Sequence, residues 1–311
     1  MVQNKNLSTT ALFLSIILCL SPFVSPAIAL FMGIVFAQIF VFPFEKYRKR
    51  ASSLILQASV VGLGFGMNMD TAIQAGKDGF VFTIISIFFT LLVGYWIGKL
   101  LKIDKGTSYL ISCGTAICGG SAIAAISPVI RADEKQMSVS LGIVFVLNAV
   151  ALFIFPSIGY FFNLSEINFG YWSAIAIHDT SSVVGAASKY GDTALEIATT
   201  VKLTRALWII PLSLFSTLIF KNKDVKIKIP YFIGFFILAI IANSYVSGIS
   251  QISPYIVMAS KKGLTLSLFI IGSGLSRNMI KSVGIKPLIQ GVLLWLFISI
   301  STLLIILFIS Q

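Results

Sequence analysis

The chain has 311 residues, 57% of them hydrophobic and only 11% charged, with a mean hydropathy of +0.96. Soluble domains carry roughly 25% charged residues, so this composition excludes an ordinary soluble enzyme or binding module. The formal charge of +12 lies in short loops between apolar runs, which is the signature of membrane orientation and not of nucleic-acid binding.

Runs of about 20 apolar residues recur from end to end, as an all-α polytopic membrane protein requires. No hydrophilic stretch is long enough to form a second domain, so residues 1–311 read as one transmembrane unit. The N-terminus imitates a signal peptide: Lys5 precedes the run Ala11–Leu20, and Ala27-Ile28-Ala29 resembles a cleavage site. Cleavage there would leave about 15 apolar residues, short of the ~20 a span needs. The first segment is therefore read as retained, with Pro22 and Pro26 turning a short hairpin. Eleven spans are expected, at 8–21, 26–44, 52–69, 79–98, 107–127, 137–160, 170–188, 194–219, 229–248, 258–277 and 287–309. With the N-terminus inside, fifteen Lys and Arg residues fall in cytoplasmic connections and six outside, among them Arg131 and Lys135. That asymmetry places the N-terminus in the cytoplasm and the C-terminus outside.

An internal echo accompanies this layout. Val60–Met69 and Ile270–Met279 share a glycine pair, an asparagine and a methionine at matching offsets. The two copies cross in opposite directions, as in the inverted repeats of secondary transporters.

In the fifth span, Cys113-Gly114-Thr115-Ala116-Ile117-Cys118-Gly119-Gly120-Ser121-Ala122 predicts a broken helix. Glycine costs a helix interior about 1 kcal/mol relative to alanine, and unwound backbone at membrane depth must line a cavity or be buried in protein. A half-helix starting at Gly119-Gly120 would aim N–H groups and a positive dipole end at an anion. The three cysteines, Cys19, Cys113 and Cys118, all lie in apolar runs. They suggest neither a disulfide framework nor a metal site, and no cofactor is expected.

Ionisable residues at membrane depth cost about 3 kcal/mol each and mark function. They gather in two consecutive spans. His178, the only histidine, and Asp179 lie near mid-depth in the seventh span and are followed by Thr180-Ser181-Ser182. Lys202 and Arg205 share one face of the eighth span through their i, i+3 spacing. Two cations on one face require compensation. Either Asp179 and Glu196 neutralise them in a structural ion network, or a bound anion completes the balance, held by the Arg205 fork and the Lys202 point charge. Unwound helix and positive charge are independent features that imply the same ligand sign, so the anion reading is preferred. His178 could carry a coupling proton, and Asn148 in the sixth span could line the cavity or bridge two helices.

The segments Thr115–Ala122, His178-Asp179 with Val183-Val184-Gly185-Ala186-Ala187, Lys202-Leu203-Thr204-Arg205 and Gly284-Ile285-Lys286-Pro287-Leu288 resemble the YeiH-type family of bacterial inner-membrane proteins, which is named for sulfate export. The resemblance runs from about residue 26 to the C-terminus, with motifs in the same order. It implies a multi-pass permease for sulfate or a related sulfur oxyanion. Asp179 stands where relatives often carry glutamate, and Ser182 where they often carry glutamine. More distantly, the layout resembles sodium/bile-acid-symporter-like folds, in which broken helices cross to build the site.

The sequence thus predicts an alternating-access exporter of a small anion, sulfate or a related oxyanion or sulfonate. Its binding residues would be Thr115, Cys118, Gly119, Gly120, Ser121, His178, Asp179, Ser182, Lys202 and Arg205. The coupling ion, proton or sodium, stays open, as does association into a homo-oligomer. The competing classes are an intramembrane enzyme with Cys118 as nucleophile and His178 as base, and a structural or signalling membrane protein.

Overall fold

A computed structural model describes residues 5–220, 231–275 and 284–309. Those residues form fourteen α-helices and contain no β-strand. In order they are α1 (Lys5–Leu20), α2 (Pro26–Ile39), α3 (Glu45–Leu63), α4 (Met69–Leu100), α5 (Lys105–Ala116), α6 (Gly120–Ile126) and α7 (Glu134–Phe161). There follow α8 (Glu166–Ala176), α9 (Thr180–Tyr190), α10 (Asp192–Ala206), α11 (Ile209–Phe220), α12 (Tyr231–Tyr245), α13 (Ile249–Gly272) and α14 (Ile285–Ile309). Five of these segments are long and apolar enough to cross a membrane singly. A sixth passes if α3 is joined to the start of α4 across a 113° bend.

The helices pack as two groups. In the first, α13 lies against α2 and α3, with α1 and α12 at its flanks. Small residues bring these helices close. Gly33 of α2 and Gly272 of α13 meet backbone to backbone, and Gly62 and Gly263 pack against Ser260 and Ser59 across the α3–α13 pair. Those contacts make α3 and α13 antiparallel, the relation expected of the two echo segments. The part of the echo at residues 276–279 lies outside the described residues. The second group is built from α4 to α11 with α14, around a core that includes Phe155, Phe169, Trp172 and Leu110. The groups touch where α2 meets α7 and α9, where α13 meets α9 and where α12 meets α4.

The structure corrects the expected eleven spans at two of them. The fifth span is a helical hairpin and not a crossing. Asp104, the N-cap of α5, accepts a 2.7 Å hydrogen bond from Gln136 in the first turn of α7. The Ser140 hydroxyl donates to the Thr107 carbonyl. Gly114 and Ile123 face each other across the two arms. The chain therefore descends along α5, turns at Ile117–Gly119, and returns through α6 to the end where it began. Then α7 runs parallel to α5.

The seventh span folds the same way from the opposite end of α7. Glu166, opening α8, accepts from the N–H groups of Thr193 and Ala194 at the start of α10. Tyr190, closing α9, donates to Leu164 at 2.6 Å, and its ring stacks on Phe169 with centroids 3.8 Å apart. Here the turn is Ile177–Asp179, α9 returns, and α10 runs parallel to α8. Hydrophobic run length measures depth of burial but not direction. Two short apolar arms therefore read like one span.

Candidate functional site

The two hairpin turns meet. A Cβ added at Gly119 would lie 3.4 Å from the Cα and Cβ of Asp179. Gly119 has φ +62°, a left-handed conformation that glycine adopts without the Cβ penalty, and its N–H closes the turn onto Gly114. The predicted break is therefore present. Its first N–H group is spent inside its own turn, and α6 is only seven residues long.

The second turn has a different cause. Asp179 is extended, at φ −99° and ψ 143°, and caps α9 by accepting from the Ser181 N–H and from the Ser181 hydroxyl. Across the turn, Asn148 bridges the helices. Its Oδ1 accepts from the backbone N–H of His178 at 3.1 Å and of Asp179 at 3.2 Å. Asn148 lies near the midpoint of the 28-residue α7, about 20 Å from either end at 1.5 Å per residue. That position puts the meeting point at mid-depth.

Lys202 and Arg205, both fully buried, sit beside the turns on α10. Lys202 Nζ donates to the carbonyls of Ala174 (3.2 Å) and Ile177 (2.7 Å), which end α8. Arg205 Nε donates at 2.8 Å to Ala116, the last residue of α5, and Nη1 donates to the Ser86 hydroxyl on α4. Helix C-termini carry unpaired carbonyls and about half a negative charge. The two cations thus cap the first arms of the two hairpins. Neither forms an ion pair with an acid among the described residues. Glu196, offered by sequence as a counter-ion, instead accepts from the Asn68 N–H.

Several buried polar atoms at this junction have no hydrogen-bond partner among the described residues: Arg205 Nη2, Asn148 Nδ2, the Thr115 hydroxyl and both ring nitrogens of His178. Thr115, Cys118, Gly119, His178, Asp179, Lys202 and Arg205 are accordingly brought together. Ser182 is buried one turn into α9. Gly120 faces Leu141 and Phe145 of α7, not the cations, and Ser121 is exposed on α6. Cys118 and His178 share no hydrogen bond, since both imidazole nitrogens are unpartnered. A groove of about 260 Å³ between the two helix groups reaches Glu196 and Thr199 of α10, one turn from Lys202. Ser86 and the capped carbonyls escaped the sequence reading. A carbonyl carries no sequence signature, and a lone serine in an apolar run is unremarked.

The comparisons with known proteins agree with the motifs. A family profile described as conserved hypothetical protein 698 matches residues 7–291. A UPF0324 membrane protein of Bacteroides thetaiotaomicron is 57% identical over 93% of this chain and 88% of its own length. This chain belongs to the UPF0324 family of membrane proteins. A UPF0324 protein of Porphyromonas gingivalis is 54% identical over 93% of this chain and 89% of its own, and one of Geobacter sulfurreducens is 46% identical over 97% of both. The YeiH-type resemblance read from the motifs is borne out by these UPF0324 matches. No solved structure matches the chain.

Proposed function

We propose that this UPF0324 protein is a secondary-active transporter, an exporter, of a small anion: sulfate, a related sulfur oxyanion or a sulfonate. The anion binds where the two hairpin tips meet and moves by alternating access. One observation carries the reading. Two buried cations with no acidic ion-pair partner among the described residues stand beside orphaned donors, Arg205 Nη2 and Asn148 Nδ2, at the junction of two helix breaks. Buried polar groups ordinarily find partners, and a polyoxygen anion supplies acceptors for these donors. Opening of the tips toward the groove beside Thr199 gives the anion its path. The unpartnered His178 imidazole supports this reading over Cys118–His178 enzyme chemistry.

In membrane terms, α5–α6 and α8–α9 are re-entrant hairpins entering from opposite faces, and the other segments make nine crossings. Each hairpin followed by a parallel helix forms a unit, α5–α7 and α8–α10. The two units are related as an inverted repeat. Arg131 and Lys135 then move to the cytoplasmic face, so basic residues divide seventeen inside to four outside. That sharpens the orientation with the N-terminus in the cytoplasm and the C-terminus outside, in the bacterial inner membrane. Asp179 and His178 are the groups positioned to carry a coupling proton or to hold sodium.

Flux of radiolabelled sulfate and sulfonates in proteoliposomes tests the reading. The wild type gives saturable transport. Arg205→Ala, shown to insert and purify as a single species, loses at least tenfold. Unchanged flux in that variant removes Arg205 from the site, and no saturable flux of any anion by the wild type removes the reading.

A further inference from the structure

The hairpin tips hold a definite charge balance, and it discriminates among anions that are otherwise alike. This inference rests on the anion-transport reading and narrows its substrate class. Lys202 and Arg205 bring two positive charges and Asp179 one negative. His178, with no hydrogen-bond partner on either ring nitrogen among the described residues, counts as a neutral imidazole. The C-terminal ends of α5 and α8 each add about half a negative charge, and the N-terminal end of α9 about half a positive one. Both cations are hydrogen-bonded to those C-terminal carbonyls, so much of their charge is already answered by the fold. About half an elementary positive charge remains.

We propose that the site takes monoanions, of which sulfonates are the matching class, and selects against the sulfate dianion. A monoanion leaves the junction close to neutral, whereas a dianion leaves it carrying more than one uncompensated negative charge in a water-poor interior. Burial of unpaired charge is strongly disfavoured there. The available donors agree. Lys202 spends two of its three N–H bonds on carbonyls, and Arg205 spends Nε and Nη1 on Ala116 and Ser86. The atoms left wholly without a partner are one guanidinium Nη2, one amide Nδ2, the Thr115 hydroxyl and the imidazole nitrogens, beside the third N–H of Lys202 and the second of Arg205 Nη1. Such a set offers donors enough for three sulfonate oxygens sharing one charge, and the charge balance sets the preference.

Methanesulfonate and sulfate separate charge from shape, since they share the sulfur–oxygen tripod. Isothermal titration of the full chain in detergent, at pH 8 in buffer free of other oxyanions, gives both affinities. Methanesulfonate is expected to bind at least tenfold more tightly than sulfate. Asp179→Asn raises the balance to about one and a half positive charges, so that the two anions leave residual charges of equal size and opposite sign, and it is expected to abolish the preference. Sulfate binding to the wild type as tightly as methanesulfonate, or more tightly, overturns the charge inference and leaves anion transport standing. Binding of neither overturns both. A tenfold preference for methanesulfonate retained in a folded Asp179→Asn protein also sinks the inference, and should that variant not fold, the wild-type order decides alone.

Discussion

Asn148→Leu keeps the side-chain volume and removes the carbonyl that ties α7 to the second hairpin. Two buried backbone N–H groups, of His178 and Asp179, then lose their acceptor. Leaving a buried donor unsatisfied costs about 1–3 kcal/mol. With partial relaxation of the turn, a net loss of about 2–4 kcal/mol follows, localised at Ile177–Asp179. At about 1.4 kcal/mol per decade that is roughly a 30-fold to 700-fold loss of amide protection, provided opening is local. Hydrogen–deuterium exchange in nanodiscs, followed on peptides covering residues 174–184, reads it directly. Peptides from α13 serve as the internal reference and should not change. Were residues 170–188 one continuous helix, the two amides would bond to carbonyls one turn back and Asn148 would be dispensable. Unchanged exchange at the turn in Asn148→Leu would refute the hairpin geometry.

The hairpins also fix sidedness. Single cysteines placed at Lys102 and Arg131 should react with an impermeant maleimide from the same face, and one at Lys189 from the other. The native Cys19, Cys113 and Cys118 are buried and should stay silent. Labelling of Arg131→Cys from the Lys189 side would restore a crossing at α5–α6. At the root of the first hairpin, burial pushes the Asp104 carboxyl up. Hydrogen bonds from Thr107 and Gln136 outweigh that and hold it below the usual carboxylate range. Its contribution to stability is therefore complete above the unfolded value of about 4 and is lost as pH falls through the lowered folded value. Melting curves from pH 3 to 7 should show that acid-side slope diminished in Asp104→Asn, and an unaltered slope would exclude the carboxylate as its source. The Arg205→Ala flux and the methanesulfonate–sulfate comparison complete the set.

Much of this architecture was legible in the residues. Composition gave the membrane class, Gly119 and Gly120 gave the first break, and spacing put Lys202 and Arg205 on one buried face. The folding back of the hairpins was not legible, because a descending arm and a returning arm have the same hydropathy. One local signal did exist. Asp179 followed by Thr180-Ser181-Ser182 is an N-cap pattern in the middle of an apolar run, and it marks a helix start where a continuous span would have none. The Asp133–Gln136 capping box marks another start, but nothing in it reveals that Gln136 also reaches Asp104. The role of the cations was half visible. Their burial was expected, while the carbonyls that hold them depend on tertiary placement.

Arg205 lies 89 residues beyond the Ala116 carbonyl that it caps. Ribosomes add about 5–20 residues per second, so this tip is made roughly 4–18 s before its clasp exists. During that interval the first hairpin has its glycine turn but not its anchoring cation. Completion of the hairpin junction is thus deferred to the arrival of α10, and a nascent chain truncated before that helix would carry an unfastened loop.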